Sequence, residues 1–123
     1  DIRHSRKIEI DILNLGIKVE DNVTCLDDAK RTVTFLLHIP IDKEIEIFED
    51  LIKISSSKNS NVMKLSLSKE PDLIEMRKGV KDNTVHSVVS HIANTYEDSQ
   101  VIKFVFNDMN NVDLKTFIQF ELF

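Results

Sequence analysis

This chain has two glycines, two prolines, one cysteine, one tyrosine and no tryptophan in 123 residues. Each scarcity closes a class of function. A phosphate-cradling loop needs clustered glycines so that backbone can approach the ligand, and Gly16 and Gly79 stand far apart. Tyr96 alone gives little support to base-stacking platforms. Cys25 has no partner for an intrachain disulfide, which points to a reducing compartment. Positive charge does not dominate. The net charge of −5 argues against a broad phosphate-binding surface. No run approaches the roughly 20 apolar residues that a membrane span needs, and no signal peptide is visible. The expected location is therefore intracellular, cytosol or nucleus. The abrupt start at Asp1 fits a fragment of a longer chain, folded as one domain over residues 1–123.

What is present is 41% apolar and 30% charged, enough for one modest core under a solvated surface. Ile8, Ile12 and Leu15 recur at helical spacing, and Gly16 follows where a left-handed cap belongs. Ile8, Ile10 and Ile12 also alternate as in a strand; helix is the preferred reading. Four strand-like segments come next, at residues 17–20, 32–39, 44–54 and 62–68. The second, rich in β-branched and aromatic residues, reads as central. The third shifts phase midway, which predicts a bulge or a helical turn. Residues 55–61 form a Ser/Asn loop, and Pro71 ends the sheet region. Beyond it, helices are expected near Leu73 to Met76, from Asn83 or Thr84 through Ile92, and from Asp113 to Leu122. Residues 101–106 fit strand or helix. The fold class expected is thus α+β: an N-terminal helix, a four-stranded antiparallel meander and C-terminal helices packed on one face.

Chemistry-bearing residues do not converge in the sequence. His86 and His91 are five apart, off one helical face, so no metal site is expected. Cys25 sits near Asp27 and Asp28, which raise a thiol pKa rather than lower it. Cys25 with His38 and nearby carboxylates is nonetheless the alternative reading, a small enzyme or ligand-binding domain. Glu44 with Glu46, Glu49 with Asp50, and Glu97 with Asp98 read as solvated faces or edge charges. Asn22-Val23-Thr24 matches a glycosylation sequon, a triplet that chance produces often. Arg3, Arg6 and Lys7 form a small basic cluster, the basis of a second alternative, a nucleic-acid-contacting accessory domain.

Apolar surplus is more suggestive. Five of the seven phenylalanines fall at position 104 or later, and a helical tail would show apolar residues on more than one side. Order and local motifs then give a resemblance. Residues 12–17 (Ile-Leu-Asn-Leu-Gly-Ile), 70–73 (Glu-Pro-Asp-Leu) and 111–118 (Asn-Val-Asp-Leu-Lys-Thr-Phe-Ile) are similar to the helix exit, post-sheet proline and closing helix of the RWD module. The likeness is greatest to the versions that cap coiled coils in kinetochore proteins. The family's usual Tyr-Pro stretch after the sheet is absent. The resemblance implies a non-enzymatic docking domain with no catalytic residue, cofactor or small-molecule substrate. Its partner would be a heterodimer mate or a short peptide of a complex subunit, not a membrane or nucleic acid. Ile8 and Ile12 on the first helix, with Phe117, Phe120 and Phe123 on the last, are the expected contact residues.

Overall fold

The computed structural model describes residues 2–27, 29–79, 88–89 and 97–121, with backbone alone at 88–89 and 97–98. Among them the chain is all β, and the expected α+β fold is not the one it adopts. Ten strands form: β1 (Ile2–Asp11), β2 (Gly16–Cys25), β3 (Arg31–Pro40), β4 (Lys43–Ile47), β5 (Ile52–Ser56), β6 (Val62–Leu67), β7 (Leu73–Lys78), β8 (Val88–Val89), β9 (Glu97–Met109) and β10 (Asn111–Glu121). One antiparallel sheet runs β1-β2-β10-β6-β5-β4, and a second runs β3-β9-β7 with β8 on β9. Their apolar faces enclose one core, as in a β-sandwich.

The expected N-terminal and closing helices are overturned by alternation. In β1 the period-two isoleucines prevail over the helical spacing, because β2 offers a ladder along the whole segment, from Ile2 opposite Cys25 to Asp11 opposite Gly16. Gly16 opens β2 rather than capping a helix. The left-handed residue at this turn is Leu15, at φ 52°. The expected closing helix is β10, where Val112, Leu114, Thr116, Ile118 and Phe120 share a face. Leu73 to Met76 lie in β7. Of the central helix expected up to Ile92, only Val88–Val89 is described, as strand; the rest, with His86 and His91, lies outside the described residues. With no helix among the described residues, the adjacent coiled coil loses its support, and so does the fold that the resemblance implied.

The ambiguous run at 101–106 belongs to β9, which pairs β3 on one side and β7 on the other. It is central, and both of its faces are buried: Ile102, Phe104 and Phe106 toward the core, Val101 and Val105 on the other side. That is why its residues read as a continuous apolar run. The 32–39 strand is an edge of this sheet rather than its centre. The phase shift in 44–54 is neither a bulge nor a helical turn but the hairpin turn between two strands, β4 and β5, closed by Phe48 N–H donating to the Leu51 carbonyl at 2.8 Å. Of the expected meander only β4-β5-β6 remains consecutive.

At the centre, Phe106, Leu65, Ile102 and Val112 are at most 1% exposed. Each such side chain contributes about 1.5–3 kcal/mol by leaving water. Phe35 meets Phe106 edge-to-face at 5.8 Å. Buried Gln100 ties the crossing from β3 to β4: its Nε2 donates to the carbonyls of Pro40 (3.0 Å) and Lys43 (2.7 Å). Cys25 N–H donates to the Asn110 carbonyl at 2.8 Å, which pins β2 to the β9–β10 turn.

Candidate interaction surface

Among the described residues the six-stranded sheet is wider than its partner, and none of them covers its β1 end. Every residue of β1 is exposed. Ile8 and Ile10 share the core-side face with Ile17 and Val19 of β2, yet Ile8 is 58% and Ile10 70% exposed. At the hairpin tip, Ile12 and Leu13 reach 80% and 94%. Turns favour Gly, Asn, Asp and Ser because those residues supply unusual φ values or local hydrogen bonds. Here Asp11 and Asn14 do that work. Asn14 donates its backbone N–H to Asp11 Oδ1 at 3.1 Å and its side-chain Nδ2 to Oδ2 at 2.8 Å. These bonds hold the Asp11 carboxyl below the usual range, the Asn14 side-chain donor contributing most. Phe120 N–H donates to the Leu15 carbonyl at 2.9 Å, and Gln119 Nε2 donates to the Asn14 carbonyl. The tip is therefore braced, and Ile12 and Leu13 project from a built turn.

Behind the tip lies an ionic cluster around a buried carboxylate. Asp21 sits on the core-side face of β2, 3% exposed at its side chain. Its Oδ1 accepts from Arg6 Nε at 2.7 Å and from His4 Nε2 at 2.8 Å, and its Oδ2 accepts from Arg6 Nη2 at 3.2 Å. A carboxylate only accepts, so His4 carries its proton on Nε2. Burial pushes the Asp21 carboxyl up, but the bonds from Arg6 and His4 together outweigh it and hold it below its ordinary value. On the opposite face Glu9 bridges Lys7 and Lys18, each at 3.0 Å, and Lys18 reaches Glu20 at 3.1 Å. Lys18 chiefly, then Lys7, lowers the Glu9 carboxyl. At the start of β3, Arg31 grips Asp27 with two bonds, 2.8 and 2.7 Å, and pulls that carboxyl well down.

The five expected contact residues do not form one patch. Ile8 and Ile12 are exposed, but on a strand and its turn rather than on a helix. Phe117 and Phe120 lie on opposite faces of β10, because an odd and an even position in a strand diverge. Phe117 is 44% exposed on the outer face, opposite Lys18. Phe120 is half-buried on the inner face, opposite Met63. Phe123 lies outside the described residues. Phe104 and Phe106 are core. Ile10, Leu13 and Leu15 are exposed beside Ile8 and Ile12; the alternation at Ile8, Ile10 and Ile12 signals the first of them.

The alternative chemistry does not assemble. Cys25 is buried, its Sγ near the Met109 carbonyl at 3.9 Å, while His38 points outward from β3 opposite Val101. Arg31, at the Cys25 end of β3, pairs with Met109. His38 stands some 23 Å further along that strand at the usual rise per residue. Among the described residues no cluster of His, Cys, Asp or Glu is placed to hold a metal ion. An open cleft of about 520 Å³ runs between the β4–β5 turn and the β6–β7 crossing, lined by Phe48, Leu51, Pro71 and Ile74 with Glu49, Asp50, Lys69 and Glu70. Its one cation, Lys69, lies over the Phe106 ring at 5.7 Å and donates to Met109 Sδ at 3.7 Å. Two of the three residues of the basic cluster are engaged, Arg6 by Asp21 and Lys7 by Glu9. The chain matches no protein-family model, no curated protein and no solved structure.

Proposed function

We propose that this domain is a non-enzymatic protein-interaction module of a larger intracellular assembly, and that it docks its partner with the β1–β2 hairpin. The observation that carries the reading is the exposure of Ile12 and Leu13, 80% and 94%, on a turn held by its own hydrogen bonds. A tip selected for solubility would be polar. Ile8 and Ile10 extend the apolar surface along one face of β1. The docking mechanism is burial of this surface against a complementary groove, with little ordering cost because the hairpin is already formed. The lone buried Cys25 supports a reducing compartment. Engagement of Arg6 and Lys7 by carboxylates counts against a nucleic-acid partner.

The test is quantitative co-purification on the full-length protein, wild type against Ile12→Asp/Leu13→Asp. A partner held stoichiometrically by the wild type should be lost by about tenfold or more, with the unfolding midpoint unchanged. A double variant that keeps every partner refutes the reading.

A further inference from the structure

The free edge of β1 is complementary to itself. β1 ends the six-stranded sheet, and each of its residues is exposed. Arg3, Ser5, Lys7, Glu9 and Asp11 lie on its outer face; Ile2, His4, Arg6, Ile8 and Ile10 lie on its inner face. Lysine on an edge strand ordinarily discourages further pairing. Here Lys7 is followed two positions later by Glu9, on the same face. That spacing has a consequence in an antiparallel pairing about a two-fold axis normal to the sheet, which keeps like faces on one side.

Centred on Ile8, such a pairing sets Lys7 opposite Glu9 of the second copy and Glu9 opposite Lys7 of the second copy. Ile8 meets its own equivalent on the apolar face. Ser5 stands opposite Asp11. Within one chain Glu9 already pairs with Lys18, Lys7 with Glu20, and Glu20 with Lys115. The joined sheet then carries a row that runs Lys18, Glu9, then across the axis Lys7, Glu20 and Lys115, alternating in sign at every step. Moving the centre by one residue destroys this order, because it sets Lys7 against Lys7 or Glu9 against Glu9. Like charges directly opposite each other in a sheet oppose pairing, and unlike charges favour it. The charges on this edge therefore select one self-pairing register rather than forbid all of them.

We propose that two copies of this domain associate through β1, antiparallel and centred on Ile8, to make one continuous sheet. The proposal rests on the reading of β1 as part of a contact surface and names the occupant of its free edge.

Molar mass by light scattering over a concentration series tests it on the full chain. Wild type should rise from the mass of one chain toward twice that mass. Lys7→Glu leaves carboxylates facing carboxylates, and Glu9→Lys leaves ammonium groups facing ammonium groups. Each variant alone should stay monomeric, with a wild-type circular dichroism spectrum. Mixed in equal amounts they should dimerise, because every cross-strand pair is again of opposite sign. Loss of fold cannot produce rescue by mixing. If either charge variant fails to fold, Ile8→Asp, which places two carboxylates at the axis, should give a monomer. The proposal is overturned by a wild type that stays monomeric, by variants that dimerise as the wild type does, or by folded variants whose mixture stays monomeric. A monomeric wild type that still loses its partner on Ile12→Asp/Leu13→Asp would remove the self-pairing and leave the hairpin-docking reading intact.

Discussion

Replacing Asp21 by Asn tests the energetics of the hairpin at its anchor. The substitution keeps the shape and removes the charge. Asn still offers one acceptor to Arg6 Nε and His4 Nε2, but its NH2 group then faces Arg6 Nη2, which is also a donor. Hydrogen bonds to a charged group contribute about 1.5–3 kcal/mol each. The partners here are half in water, Arg6 52% and His4 48% exposed, so screening discounts that figure. A net loss of about 2 kcal/mol is expected at neutral pH. The acid limb gives a second, independent signature. The Asp21 carboxyl is held below its ordinary value in the folded state. The unfolded chain therefore binds more protons in that window, and stability rises with pH there. The contribution is complete above the unfolded pKa of about 4 and is lost as pH falls through the lower folded value. Urea unfolding at pH 7 and at a series of acid values reads both effects. Asp21→Asn should lower the midpoint at pH 7 and flatten the acid slope. A loss under about 0.5 kcal/mol with an unchanged acid slope would refute the assignment of Asp21 as a stabilising anion.

Two further predictions concern the sandwich. Leu65→Ala, at a site 1% exposed in the middle of β6, should cost about 2–5 kcal/mol in urea unfolding, while Phe117→Ala on the outer face should cost under about 1 kcal/mol; equal losses would contradict the placement of the two sheet faces. Gln100→Ala removes the donor shared by the Pro40 and Lys43 carbonyls at the β3–β4 crossing and should lower stability by about 2–3 kcal/mol. Faster amide exchange in β4 than in β6 should accompany it, and uniform exchange would count against a local role for this tie.

The all-β character was partly legible in local pattern and was obscured where chemistry interrupts it. Ile17, Val19, Val23 and Cys25 alternate along β2, but Asp21 breaks the series. A buried carboxylate looks like a turn residue until Arg6 and His4, donors from the neighbouring strand, are seen beside it. Leu114, Phe117 and Ile118 imitate a helical stripe, while Val112, Leu114, Thr116 and Ile118 share the inner face of a strand. Both spacings coexist whenever apolar residues occupy both faces of a strand, and only the availability of neighbouring strands decides between them. The expected contact residues followed the same rule. Ile8 and Ile12 read as one face of a helix and lie on a strand and its turn, and which phenylalanines were surface depended on strand phase.

From the residues alone come an acidic chain, a single unpaired thiol, the strands expected over 32–39 and 62–68, the loop between β5 and β6, and a surplus of apolar side chains. These follow from composition and from interactions within a few positions, which need no knowledge of what lies across the sheet. Tertiary structure decided the rest: that Leu15-Gly16 is a hairpin turn, that β9 runs through the centre, and that Phe106 is core while Ile12 and Leu13 stand in water. Strand pairing joins residues far apart in sequence, such as Val23 with Val112, and a side chain's burial depends on which strand comes to lie beside it and which sheet covers it.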